Sequence, residues 1–185
     1  MTNALIALAV VIGVGIIWII IVYNRLVRRR MDVREGWSQI DVALKRRHDL
    51  IPNVVETVKG YAAHEKDSLE RVIAARNQAV AAKTPGESAV AEGLLTSALR
   101  QIFALSEAYP DLKANANFQQ LSAELSNTEN QISGVRQRYN RAVADYNEAL
   151  QIFPNLLISG PLGFRAEEFF ELEEPAAKEA PKVKF

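Results

Sequence analysis

His48 and Asp49, adjacent and preceded by Lys45, Arg46 and Arg47, are the residues of this 185-residue chain whose types come nearest to chemistry. A His-Asp pair can ligate a metal ion, but a hydrolytic centre needs further imidazoles and carboxylates to complete the shell. The chain offers two histidines in all, His48 and His64. His64 stands in "HEKDS", without the second histidine four residues on that a zinc-binding helix requires. No glutamate has a histidine three residues later, which removes the di-iron pattern of helical bundles. No phosphate-binding loop or dinucleotide fingerprint occurs, and neither serine nor threonine has a nucleophile context. There is no cysteine, so disulfides and thiolate metal sites are excluded. The expectation is a chain with no catalytic residue, no metal site and no cofactor. On that reading His48 is a solvated helix residue beside Asp49.

Charge adds little at the level of the whole chain. Lys plus Arg and Asp plus Glu are each 22, which argues against a nucleic-acid partner. The distribution is uneven, with arginines gathered after residue 23 and glutamates between Glu167 and Glu174.

The elements that would position these residues begin with a membrane span. Residues 4–23, "ALIALAVVIGVGIIWIIIVY", carry no charge, and about 20 residues at 1.5 Å each match a hydrocarbon core of roughly 30 Å. A signal peptide would need a basic start, a shorter apolar core and a cleavage site, none of which is present. The lipid bilayer is thus the expected partner of residues 4–23, with 1–3 forming an N-terminus outside. Residues 24–32 form a basic juxtamembrane segment whose Arg25, Arg28, Arg29 and Arg30 make a membrane-proximal collar. No Lys or Arg precedes the span, so the positive-inside rule places the chain beyond residue 23 in the cytoplasm.

Helical periodicity fills residues 33–151. One seam runs through Val33, Trp37, Ile40, Leu44, Ile51, Val54, Val58 and Tyr61, with a gap at Arg47. A second alternates strictly by three and four from Phe118 through Thr128, Tyr139 and Tyr146 to Ala149. Two shorter seams lie between, one through Leu69, Val72, Ile73, Arg76 and Val80, the other through Val90, Leu94, Leu95, Leu99, Ile102 and Leu105. "TPGE" predicts a capping box at Thr84 and Glu87 with Pro85 at the first helical position. Pro110 is expected to end the third helix, and Asn115 or Asn117 to cap the fourth. The fold class is therefore all-α, a transmembrane helix followed by an antiparallel up-and-down four-helix bundle with two long and two shorter helices. Pro52 removes the N–H that would bond the His48 carbonyl, so it should bend or restart the first helix, with Asp49 able to cap a restart.

Matching the start of the first helix to the end of the fourth pairs position 33 with about 150. That alignment levels Lys45, Arg46 and Arg47 with Arg136, Arg138 and Arg141, a basic belt available to a protein partner or a solvated mixed-charge face. Tyr139-Asn140 and Tyr146-Asn147 repeat at one heptad; they suggest an amide or aromatic recognition strip, although the tyrosines fall on the core seam. Residues 152–172 hold too many apolar groups to be left in water, and 173–185 read as a flexible tail. Glu167, Glu168, Glu171, Glu173 and Glu174 would be repelled by anionic lipid and attracted to the arginine collar. The expectation is that 152–172 folds back over the base of the bundle, aromatics on the core and glutamates toward the collar.

The stretches "YNRLV", "GWSQIDVALKRRHDLIPNVVETVKGYAAHE", "AYPDLKAN", "LSAELSNTENQISGVRQRYNRAVADYNEA" and "FPNLLIS" resemble the LemA family of bacterial membrane-anchored proteins, and "APKVKF" is similar to its usual ending. The resemblance implies a membrane helix and a cytoplasmic bundle, hence a single-pass protein of the bacterial inner membrane. It implies no activity. The functional expectation is a non-enzymatic, membrane-tethered interaction or scaffold protein with an unidentified protein partner. The alternatives are an enzyme or enzyme subunit whose site spacing does not reveal, and a self-associating coiled-coil structural protein that forms a homo-oligomer.

Overall fold

The computed structural model describes Thr2–Glu171, and among these residues it contains helices and no strand. Leu172 and the tail 173–185, with Glu173 and Glu174, lie outside the described residues. The helices are α1 (Thr2–Lys59), α2 (Lys66–Ala81), α3 (Pro85–Ser106), α4 (Pro110–Ala114), α5 (Ala116–Gln151) and α6 (Leu156–Ser159).

α1 is one helix of 58 residues. The apolar stretch 4–23, the basic segment 24–32 and the amphipathic stretch after it are therefore one continuous helix, and for a local reason. Between Gly15 and Gly36 the sequence has no glycine or proline, and its arginines, Leu26 and Met31 are good helix formers. Pro52 does not restart it either. The His48 carbonyl that Pro52 leaves without a donor accepts instead from Nε of Arg76 on α2, at 3.1 Å. Asp49 is exposed and caps nothing among the described contacts.

The other helix ends follow their capping residues. Thr84 accepts from the Glu87 N–H, and the Glu87 carboxylate accepts from the Thr84 N–H, a complete capping box. Asn115 caps α5 through the Phe118 N–H at 2.9 Å. Pro110 acts differently from expectation: α3 has already stopped at Ser106, and Pro110 opens α4 at a position where its missing N–H costs nothing.

α5 lies along α1, and position falls on one as it rises on the other. Arg29 donates to the Asp145 carbonyl, Gly36 faces Tyr139, Arg47 pairs with Glu129, and Tyr61 accepts from Asn115. Gly36 permits this approach, since a Cβ there would stand 3.3 Å from the Tyr139 Cα. Position 33 thus faces about 142 rather than 150, a shift of about two turns. The reason lies at the base, where the buried seam of α1 starts at Val22 and Leu26 and α5 runs down to meet it.

The core is divided. One apolar cluster gathers Val22, Leu26, Val33, Ile40 and Leu44 with Val135, Tyr139, Val143, Tyr146 and Leu150. A second gathers Ile51, Val54 and Val58 with Leu69, Val72, Leu95, Leu99, Ile102, Phe118 and Leu125. The two long seams behave as expected except at Tyr61, which is exposed, but those of α2 and α3 are displaced in part. Ile73, Val80, Val90 and Leu94 are exposed, whereas Ala79, Ser88 and Glu92 are buried. The inward row of α3 is Ser88, Glu92, Leu95, Leu99, Ile102 and Ser106, in alternating steps of four and three.

Beyond α5 the chain turns back. Gly163, at φ +75°, supplies the left-handed conformation that returns Phe164 to the ring of Tyr23, 5.6 Å away and edge-on. Residues 165–171 then run extended along α5, away from the base.

Candidate functional site

Between the two apolar clusters lies a layer of charge built from α1, α3 and α5. Arg47 fills the gap in the α1 seam and is 4% exposed. Its guanidinium donates to Glu92 Oε2 at 2.9 Å and Thr96 Oγ1 at 2.8 Å, and pairs with Glu129 Oε2 at 3.1 Å. His48, 7% exposed, places Nε2 2.5 Å from the other Glu92 oxygen. The expectation of a solvated His48 is therefore corrected. Consecutive positions on α1 are about 100° apart, so Arg47 and His48 straddle the inward direction, and α3 brings a buried carboxylate to both. A buried guanidinium is tolerated only when its donors are satisfied, and here they are met by two carboxylates and a hydroxyl. Thr128, beside them on α5, is buried as well.

Two overlapping hollows open onto this layer between α3 and α5. One, of about 410 Å³, is lined by Leu99, Phe103 and Leu125 with Arg47, Arg100 and Glu129. The other, of about 510 Å³, shares Arg47, Thr96, Arg100 and Glu129 and adds Arg136, Ile132 and Phe170. The expected belt is thus split by the two-turn shift. Arg47 and Arg136 line one hollow, while Arg138 and Arg141 line another nearer the base with Arg29, Asp32 and Asp145. Lys45 faces α2 in a third, beside Asp41, Asp49 and Arg76. Arg46 is exposed and lines none of these. Among the described residues no group of three or more His, Asp and Glu side chains is placed to hold a metal ion.

The collar is divided too. Arg25 and Arg28 are exposed, Arg29 donates to the Asp145 carbonyl, and the Arg30 guanidinium lies over the Phe164 ring at 5.1 Å. Phe164 is buried at the base beside Tyr23, but Phe170 is buried farther up against Trp37 and Phe153 is exposed, so the expected aromatic cover of the base is formed only in part. Among the described residues no glutamate of this segment forms an ion pair with a collar arginine, although Glu167 sits at about the level of Arg28. Asn147 grips both the N–H and the carbonyl of Glu167, and Asn140 does the same to Phe170, so the amides hold this segment as a strap on α5. Glu168 accepts from the Tyr139 hydroxyl at 2.7 Å through its carbonyl, and its carboxylate stands near Gly86 in the first turn of α3. The heptad repeat of Tyr-Asn therefore serves both readings at once: the tyrosines are core, and the asparagines recognise the chain's own backbone. Burial, with the charges of Glu167 and Glu168 nearby, pushes the Tyr139 phenol up to about 12.

A long apolar N-terminal helix continuous with an all-helical body defines the class, a helical protein with one candidate membrane anchor. The LemA family model matches residues 36–185, and the chain belongs to the LemA family. It is 25% identical over 180 residues to magnetosome protein MamQ of Magnetospirillum gryphiswaldense, a match covering 83% of this chain and 66% of that protein. Protein LemA of Metamycoplasma hominis is 25% identical over 170 residues, covering 89% and 76%. The chain thus spans just under two thirds of the MamQ sequence it matches.

Proposed function

We propose that this chain is a membrane-tethered, non-enzymatic interaction protein, its span crossing a bacterial inner membrane with the N-terminus outside and its four long helices standing as an up-and-down bundle in the cytoplasm. The observation that carries the reading is the hollow between α3 and α5. Its walls are apolar at Leu99, Phe103 and Leu125, Arg100 stands on its rim, and Arg136 lines the second hollow that overlaps it. Neither arginine is ion-paired among the described residues, whereas Arg47 on the floor is neutralised by Glu92 and Glu129. Such a surface suits an amphipathic helix of a partner protein with an apolar row flanked by acids. The unbroken α1 supports it, because a jointless post holds the hollow at a fixed height above the lipid.

A photo-crosslinking side chain at Phe103 of the full-length chain in native membranes tests the reading. Adducts to another protein are expected there and not at Gln78 on α2, and charge reversal of Arg100 and Arg136 to Glu should abolish them. Adducts insensitive to that reversal, or none, would overturn it. Adducts between two copies of the chain would favour the self-associating structural protein instead.

A further inference from the structure

We infer that residues 152–164 form a second membrane contact, an interfacial wedge whose Ile152, Phe153, Leu156, Leu157 and Leu162 enter the boundary between headgroups and acyl chains beside the end of the span. The inference rests on the membrane-anchored reading of α1.

Height is the first argument. Phe164 meets Tyr23, and Trp18 and Ile158 both pack on the apolar cluster that contains Val22, Leu26 and Leu150. The segment therefore stands beside positions 18–26 of α1, over the last turn and a half of the apolar span. Were lipid to stop short of it, only residues 4–17 would remain in hydrocarbon. That is about 21 Å at 1.5 Å per residue, well under the roughly 30 Å a bilayer core requires. A bilayer that covers the span reaches the segment.

Its chemistry fits that position. Residues 149–164 carry no charge, and the face turned away from α1 is apolar, with Phe153 74%, Leu157 63% and Leu156 57% exposed. The polar backbone is turned inward on itself: the N–H groups of residues 156–159 and 162–164 all bond carbonyls within the segment. Asn155 and Ser159 bond the carbonyls of Ala149 and Leu150 at the end of α5. Most of the backbone N–H groups are thus satisfied internally, and those of Phe153, Asn155 and Gly160, which have no backbone partner, suit the headgroup boundary rather than the hydrocarbon core. The charges are sorted accordingly. Arg25 and Arg28 remain exposed near the wedge, placed for anionic headgroups, while the strap carries Glu167, Glu168 and Glu171 away along α5. Glu167, held on Asn147 at about the level of Arg28, is the glutamate nearest the lipid surface, and Glu168 and Glu171 lie farther from it.

The cysteine-free chain makes the test direct. Full-length protein with a single Phe153→Cys or Leu157→Cys, labelled with an environment-sensitive fluorophore, is reconstituted in phosphatidylcholine–phosphatidylglycerol vesicles. Ile12→Cys and Gln131→Cys serve as references within the span and on the exposed side of α5. Lipids bearing a nitroxide near the headgroup should quench positions 153 and 157 several-fold more than position 131, and aqueous iodide should quench them several-fold less. Iodide quenching equal to that at position 131 would overturn the wedge and leave the anchor standing. Shielding from both quenchers, with energy transfer between copies, would overturn it in favour of a second chain on the patch. Failure of lipid quenching at position 12 would overturn the anchor and the wedge together.

Discussion

At the scale of single residues, the charged layer is the feature with the largest energetic consequence. Removing one partner from a buried ion pair leaves the other desolvated and alone, at about 3 to 5 kcal/mol, whereas replacing both by apolar groups is often close to neutral. Glu92→Ala should therefore lower the denaturation midpoint strongly, and Arg47→Met combined with Glu92→Met should cost much less than the two singles added. Additive costs would show that Glu129 and Thr96 hold Arg47 without Glu92. Tyr139 gives a pH signature. Its folded value of about 12 lies above the ordinary 10.0, so the fold favours the neutral phenol. Its contribution is complete below pH 10, declines as pH rises between 10 and 12 and is gone above. Tyr139→Phe should cost about 1 kcal/mol at neutral pH, for the bond to Glu168, and show a shallower alkaline decline. Parallel curves for the two proteins would assign the decline elsewhere. In the sequence Arg47 showed as a gap in an apolar row and as a member of a basic belt, not as a buried ion-pair partner. A charged residue on a seam is read as a lapse of periodicity until its partner is known, and Glu92 lies 45 positions away on another helix.

At the scale of elements, legibility depended on whether the cause was local. Thr84, Glu87 and Asn115 declare helix ends within three residues, and the structure has those ends. The faces of α2 and α3 depend on where the neighbours stand: Leu69, Val72, Leu95, Leu99 and Ile102 of the expected rows are buried, whereas Ile73, Val80, Val90 and Leu94 point outward. Two elements invite measurement. Nε of Arg76 substitutes for the donor that Pro52 lacks, so Arg76→Met should cost about 1 kcal/mol beside Pro52 and little in a Pro52→Ala background, where the helix regains its own N–H to the His48 carbonyl. Equal costs in both backgrounds would refute that substitution. The strap depends on four amide bonds, and Asn140→Ala with Asn147→Ala should release it. Trypsin cleavage after the exposed Arg165 should then accelerate while the helix content by circular dichroism stays constant; an unchanged rate would mean that Phe164 and Phe170 hold the segment without the amides.

At the scale of the whole molecule, the class of fold was readable from periodicity, whereas the register of α1 against α5 was not. Matching helix ends assumes that the bundle starts where the basic segment stops, but the packed surface begins within the apolar span, at Val22. Orientation remains an expectation from the arginines after the span. A tag after Phe185 should resist protease in intact cells while one before Met1 is cleaved, and the reverse pattern would turn the bundle outward. The continuity of α1 has a mechanical consequence if the span is seated in lipid. A spanning helix answers a change in bilayer thickness by tilting. With no joint between Tyr23 and Lys59, about 36 residues at 1.5 Å each make a stiff arm of about 54 Å, and ten degrees of tilt carries its tip sideways by about 9 Å. The molecule is in that respect a lever whose short arm is the bilayer, and a thinner or thicker membrane moves the far loops through a distance comparable to the width of a helix.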